Sequence, residues 1–151
     1  MDLGLDNAVA LVTGGSKGIG KACARALLAE GAKVAILARG EDALKAAAEE
    51  LGDVLTVSAD TTDSAAVEAA VEAVVSTYGR LDVIVNAAAE PASSTPGGGS
   101  GLAAVDEADI IRQVDTKGLG YLRVVRAALP HLKAAGGGRV VNIAGMNART
   151  T

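Results

Sequence analysis

Three of the four glycines in the run TGGSKGIG (13–20) are the first residues of this 151-residue chain whose type and spacing suit chemistry. Gly14, Gly18 and Gly20 follow an apolar run, NAVALV, and precede an alanine-rich segment, KACARALLAEG. Glycines there permit a tight turn and let a pyrophosphate lie against bare backbone. A helix opening near Gly18 adds free N–H groups and a partial positive charge. The spacing is G-x-x-x-G-x-G. Taken alone it also fits a plain strand-to-helix turn, and the strand-loop-helix setting favours the anion site.

Five short apolar runs supply the strands that must hold this loop: AVALVT (8–13), KVAILA (33–38), VLTVSA (54–59), LDVIVNA (81–87) and RVVNIA (139–144). They are continuously apolar rather than alternating, as in strands covered on both faces. Helical patterns lie between them, at 18–31, at 41–52 and from Asp63 or Ser64, either able to cap, to Tyr78. A longer helical pattern runs from Leu102 to Lys133, with a bend expected near Gly118 and Gly120. The alternation predicts an α/β fold, a doubly wound parallel sheet of Rossmann type with helices on both faces. The expected strand order is 3-2-1-4-5. A ligand then sits at the carboxyl ends of the strands, at the switch point between strands 1 and 4. EPASSTPGGGSG (90–101) reads as a flexible loop. No linker divides the chain, so residues 1–151 form a single domain in this reading.

TGGSKGIG, Asp60 after the third strand, NAAA (86–89) and GRVVNIAG (138–145) occur in the order found in short-chain dehydrogenases/reductases. The chain resembles that family over essentially its whole length. The resemblance implies that Gly14, Ser16, Lys17, Gly18, Ile19 and Gly20 line cofactor phosphates. It implies that Asp60 and Thr61 meet the adenine, and that Asn86, Ala87 and Ala88 run along the ribose and nicotinamide. From the residues alone, Asp60 equally suits a helix cap, and Asn86 equally suits a tie between neighbouring strands.

The second strand ends in Ala38 and Arg39, where a cofactor with a free 2′-hydroxyl usually meets an acid. Glu41 and Asp42 fall later, at a helix start that favours acids anyway. Arg39 is therefore placed to pair with a 2′-phosphate, and Lys17 adds a second positive charge. The cofactor expected is NADP, with NAD the lesser alternative; two merely solvated side chains are the other reading.

Family chemistry is hydride transfer between nicotinamide and a carbonyl or alcohol carbon of a small molecule. Against the family pattern, Gly145 occupies the serine slot and Asp115 the asparagine slot. The Tyr-x-x-x-Lys pair is not present up to Thr151. Asp115 is the one candidate left for proton transfer, with Asn147, Thr150 and Thr151 as unassigned donors. Two expectations follow: a cofactor-binding piece of a longer oxidoreductase, truncated before the last strands of the sheet, or a non-catalytic nucleotide-binding protein. Without the further strands of the family sheet, strand 5 would be an apolar edge, so the first expectation is favoured, with residues after Thr151 or a second chain covering that edge.

Composition narrows the rest. A net charge of −4, two tyrosines and no Phe or Trp argue against nucleic-acid binding. The N-terminus lacks a secretory pattern and the apolar runs are too short for a membrane span, so a cytoplasmic protein is expected. Cys23, alone of its kind, shares a helical stripe with Ile19, Ala26 and Leu27 and reads as core. Tyr78 and Tyr121 read as packing or surface residues, and His131 as a surface residue near a helix end. Arg112, Arg123 and Arg126 read as a solvated face or an oligomer interface of a dimer or tetramer. No cluster has metal-ligand spacing, so no metal is expected.

Overall fold

A computed structural model describes residues 3–89 and 106–145. The element order is β1 (Val9–Thr13), α1 (Gly18–Ala29), β2 (Lys33–Ala38), α2 (Glu41–Leu51), β3 (Val54–Ser58), α3 (Ser64–Tyr78), β4 (Val83–Asn86), α4 (Glu107–Gln113), α5 (Gly120–Ala134) and β5 (Arg139–Asn142). A π-helical segment, Val114–Leu119, joins α4 to α5. The strands are all parallel, in the order β3-β2-β1-β4-β5. This is the doubly wound order expected from the alternation of apolar runs and helices.

Every residue of β1 is buried because both of its faces are covered. Side chains alternate across a strand. Val9 and Leu11 therefore join one core with Ala35 and Leu37 of β2, Val67, Val71 and Val74 of α3, and Val124 and Leu132 of α5. Ala10 and Val12 join a second core with Val34 and Ile36, against Ala24 of α1 and Leu44 and Ala47 of α2. Cys23 packs partly buried against the second core beside Leu27, while Ile19 and Ala26 of the stripe expected to face the core are exposed.

The amino end of the sheet is fastened by Asp82. Its Oδ2 accepts the Val9 N–H at 2.9 Å and Arg80 Nε at 2.9 Å, and its Oδ1 accepts Arg80 Nη2 at 2.6 Å. Burial alone would raise this carboxyl; Arg80, the Val9 N–H and the charge of Arg139 outweigh it and hold it below the usual carboxylate range.

Two differences from the sequence reading have local causes. The helix pattern expected from Leu102 onward is described from Asp106, whose side chain caps α4 through the Ala108 N–H at 3.0 Å. Residues 102–105 and the 90–101 loop lie outside the described residues. Where a bend was expected at Gly118 and Gly120, the helix instead takes the wider π turn and re-enters α-helical geometry at Gly120. A Cβ on Gly120 would sit 3.1 Å from Thr61 Oγ1, so glycine lets α5 approach the turn after β3. β5 is exposed along its length, with Val140 and Val141 41% and 49% exposed. Among the described residues no strand pairs with its outer edge.

Candidate functional site

A cleft of about 730 Å³ opens at the carboxyl ends of β1, β2, β3, β4 and β5. Its floor at the switch point is the turn between β1 and α1. Gly14 has φ +67°, and a Cβ there would lie 2.7 Å from the Ala87 carbonyl oxygen. The Gly14 N–H donates to the Leu37 carbonyl at 2.8 Å. Buried Thr13 completes the joint: its hydroxyl accepts the Ala87 and Ala88 N–H groups at 3.2 and 3.3 Å. The loop ends of β1, β2 and β4 are thereby held as one unit.

Above that floor α1 begins at Gly18. Its cap residue, Lys17, makes no side-chain cap, and the first turn carries no acid. The contrast with the other helices that begin from a loop is chemical: Asp63 caps α3, Asp106 caps α4, and α2 opens with Glu41 and Asp42. Gly18 has φ +55°, and a Cβ on it would meet nothing within 4 Å. Bare backbone thus faces the cleft at the positive end of a helix, which fits a phosphate group.

Of the residues expected to bind cofactor, Gly14, Ser16, Lys17, Gly18, Ile19, Gly20, Arg39, Asp60, Thr61, Ala87 and Ala88 all line this cleft. Asn86 does not. It lies fully buried below the floor, and its Nδ2 donates to Asn142 Oδ1 at 2.9 Å, tying β4 to β5. Glu41 and Asp42 also stay outside the lining. Among the described lining residues the charged side chains are Lys17, Arg39 and Lys117 against Asp60, a basic cleft in a chain of net charge −4.

Asp60 does not cap α3; that is the work of Asp63, which accepts the Ala65 and Ala66 N–H groups. Asp60 closes the preceding turn instead, its Oδ1 accepting Thr62 N at 2.9 Å and Thr62 Oγ1 at 2.8 Å. Burial would raise its carboxyl; the Thr62 bonds and the charges of Arg39 and Arg123 prevail and lower it. It is ionised at neutral pH.

The far wall holds residues that sequence reasoning missed or read otherwise. Thr116 and Lys117 of the π segment line it beside Tyr121 and the 143–145 segment. Tyr121 is a packing residue as expected, 8% exposed, but its hydroxyl also stands 3.1 Å from both the Ala88 and Ile143 carbonyls, bridging the ends of β4 and β5. Burial pushes its phenol above the ordinary value, so it stays protonated at neutral pH. That is the opposite of a tyrosine activated for proton transfer. Tyr78 packs against the first core.

Asp115 faces away from a free role. Its Oδ1 accepts Arg123 Nη1 at 2.8 Å, while its neighbours Thr116 and Lys117 reach the cleft. Arg123 was expected on a solvated or oligomer face, and its engagement with Asp115 corrects that reading. Nothing in a 3.6-residue periodicity signals the pair, because the π turn shifts the register between the two residues. His131 also differs: expected as a plain surface residue, it stands 3.1 Å from Glu72 of α3 with its side chain 23% exposed. Arg112 pairs with Asp109 one turn back. Gly145 lines the cleft and offers no hydroxyl. Asn147, Thr150 and Thr151 lie outside the described residues.

A second cavity, about 530 Å³, opens at the amino ends of the strands between Asn7, Arg80 and Gly137. Its Arg80 and Asp82 are already paired with each other. No helix among the described residues is long and apolar enough to cross a membrane. No group of three or more His, Cys, Asp or Glu side chains among them is arranged to hold a metal.

The chain is similar to an oxidoreductase of Staphylococcus haemolyticus described as uncharacterized, with 34% identity over 146 residues, covering 95% of this chain and 61% of that protein. Among solved structures it resembles a variant of actinorhodin polyketide ketoreductase with NADPH (TM-score 0.85, 36% identity, 97% of this chain and 56% of that one). It also resembles L-sorbose reductase from Gluconobacter frateurii complexed with NADPH and L-sorbose (TM-score 0.79, 32% identity, 93% and 53%). The chain therefore spans between about half and three fifths of the length of these relatives. A family model for short chain dehydrogenase matches residues 8–151. With the strand order, the glycine turn and the cleft already in place, that match settles the family: the chain belongs to the short-chain dehydrogenases.

Proposed function

We propose that this chain is the cofactor-binding part of an NADP-dependent oxidoreductase that moves hydride between nicotinamide and the carbonyl or alcohol carbon of a small molecule. The observation that carries the proposal is the convergence of uncapped backbone at Gly18 with Lys17 and Arg39 on one cleft. In this reading the N–H groups opening α1 hold the pyrophosphate, and Arg39 with Lys17 recognises the 2′-phosphate. The adenine lies by Asp60 and Thr61, with the nicotinamide ribose along Ala87 and Ala88. The nicotinamide, when bound, supplies the hydride donor or acceptor. The relatives solved with NADPH support the choice of cofactor.

Isothermal calorimetry on the 151-residue chain tests this. NADPH is expected to bind at micromolar concentration and NADH about tenfold or more weakly, the difference being the charge-assisted bonds to the 2′-phosphate. NADH binding as tight as NADPH would remove the NADP assignment.

A second reading is favoured by Gly145 in the family's serine slot and by Asp115 engaged with Arg123. In it the chain binds the nucleotide without transferring hydride. A panel of ketones separates the two when tried with a protein carrying whatever coding sequence follows residue 151: NADPH oxidation supports the first reading, and none from a cofactor-saturated protein supports the second.

We also propose that the chain self-associates through the helices after the 90–101 loop. Ile111, Val114, Leu122 and Leu129 are 68%, 56%, 49% and 44% exposed, large apolar side chains spread over α4, the π segment and α5 that an interface along these helices would cover. Light scattering should report a dimer or tetramer that Leu122→Asp dissociates. A monomer for the unmodified chain would exclude this interface.

A further inference from the structure

The turn that follows β3 carries Asp60 and Thr61 to the edge of the cleft, and its own hydrogen bonds run within 60–63. Its link across to α5 is Arg123. One guanidinium nitrogen, Nη1, lies 3.3 Å from the Thr61 carbonyl, 3.4 Å from the Asp115 carbonyl and 2.8 Å from Asp115 Oδ1. The Arg123 side chain is only 20% exposed, so this is a partly buried contact and not a solvated surface pair. Asp115 belongs to the π-helical segment, whose next two residues, Thr116 and Lys117, line the same cleft. Gly120 lies between these groups, close enough to Thr61 that a Cβ would press on its hydroxyl.

We infer that Arg123 and Asp115 form a clamp that positions the adenosine end of the bound dinucleotide, by fixing the 60–61 turn to the π-helical segment. The inference rests on the dinucleotide reading of the cleft. It gives Asp115 a positioning role: its carboxylate orients Arg123, and Arg123 holds the Thr61 carbonyl. The reason is geometric. A carbonyl at 3.3 Å is a weak acceptor by itself. A guanidinium already oriented by a carboxylate loses little further freedom in reaching it. Without the carboxylate the arginine regains its rotamers and the turn loses its brace. A proton-transfer role for Asp115 would require the carboxylate to leave this pair.

The test uses the 151-residue chain with two probes, NADPH and 2′,5′-ADP, the second carrying only the adenosine half. Affinities are measured by calorimetry for the unmodified chain, Arg123→Ala, Arg123→Lys, Asp115→Asn and the double variant Arg123→Ala with Asp115→Asn. Arg123→Ala is expected to weaken both probes by the same factor, about tenfold. Arg123→Lys should recover part of that loss, and Asp115→Asn should weaken both probes in the same direction. In the Arg123→Ala background Asp115→Asn should add nothing, as for two residues acting through one contact. If Arg123→Ala does not fold, Arg123→Lys and Asp115→Asn carry the test, each expected to weaken 2′,5′-ADP. Unmodified chain that binds both probes, with the folded variants binding equally well, would overturn the clamp alone. Fully additive losses would do the same. Unmodified chain that binds neither probe would remove the dinucleotide reading itself.

Discussion

Gly14→Ala is expected to abolish dinucleotide binding and to cost the fold about 3 kcal/mol, because two separate penalties meet at one carbon. The backbone there is left-handed, φ +67°, which an L side chain adopts at a cost of about 1–2 kcal/mol. The new Cβ would also stand 2.7 Å from the Ala87 carbonyl oxygen and 2.8 Å from Ala88 N. Both are backbone atoms at the end of β4, already fixed by the Thr13 hydroxyl. They cannot swing aside as a flexible side chain would, so the carboxyl ends of β1 and β4 must part. That displaces Ala87 and Ala88 at the switch point. Urea unfolding with and without NADPH checks both effects. Gly79→Ala serves as the control: φ is +81° in the same left-handed region, but a Cβ there meets nothing within 4 Å, so only the conformational cost of about 1–2 kcal/mol applies. An unfolding midpoint for Gly14→Ala equal to that of the Gly79→Ala control would contradict the close-packed joint.

Arg39→Asp is the other large effect, and it separates the two cofactors. Arg39 lines the cleft at the end of β2, and its charge already reaches Asp60. Replacing it with a carboxylate removes the charge-assisted bonds to a 2′-phosphate and adds repulsion. NADPH affinity should fall about 100-fold, corresponding to about 3 kcal/mol. NADH carries no 2′-phosphate and should lose far less, so the preference between the cofactors collapses or reverses. Calorimetry at low and moderate salt measures it, and the gap should narrow as salt screens the cleft. Equal losses for NADPH and NADH would place the 2′-phosphate elsewhere.

The sheet was legible because its signal is local. Each strand is a short, unbroken apolar run and each crossover a helical pattern, so a doubly wound parallel sheet followed from the pattern, and 3-2-1-4-5 is one of the common orders such a sheet takes. The glycine turn was legible for the same reason: positive φ at Gly14 and Gly18 is a property of the residue type. The far wall of the cleft was not. Tyr121 reaches the Ala88 and Ile143 carbonyls across the sheet, and Arg123 reaches Thr61 across the α5 approach that Gly120 permits. Such contacts depend on helix rotation, and the π turn at 114–119 alters that rotation in a way no 3.6-residue pattern encodes. Asp60 and Asn86 show the intermediate case. Each had two readings from its residue type: the structure replaces the helix cap at Asp60 with a bond that closes its own turn at the cleft, and it shows the tie from Asn86 to β5, a role that can coexist with one toward the cofactor.

Backbone amide spectra recorded during an NADPH titration bear most directly on where the dinucleotide lies. Isotope-labelled protein should show shifts gathered at Gly14, Gly18, Gly20, Thr61 and Ala88, around the carboxyl ends of the strands. Gly4, Gly136 and Gly137, beside the cavity at the opposite end of the sheet, should stay still. Shifts centred on that opposite end, or none at millimolar cofactor, would contradict the placement of the dinucleotide on the glycine turn.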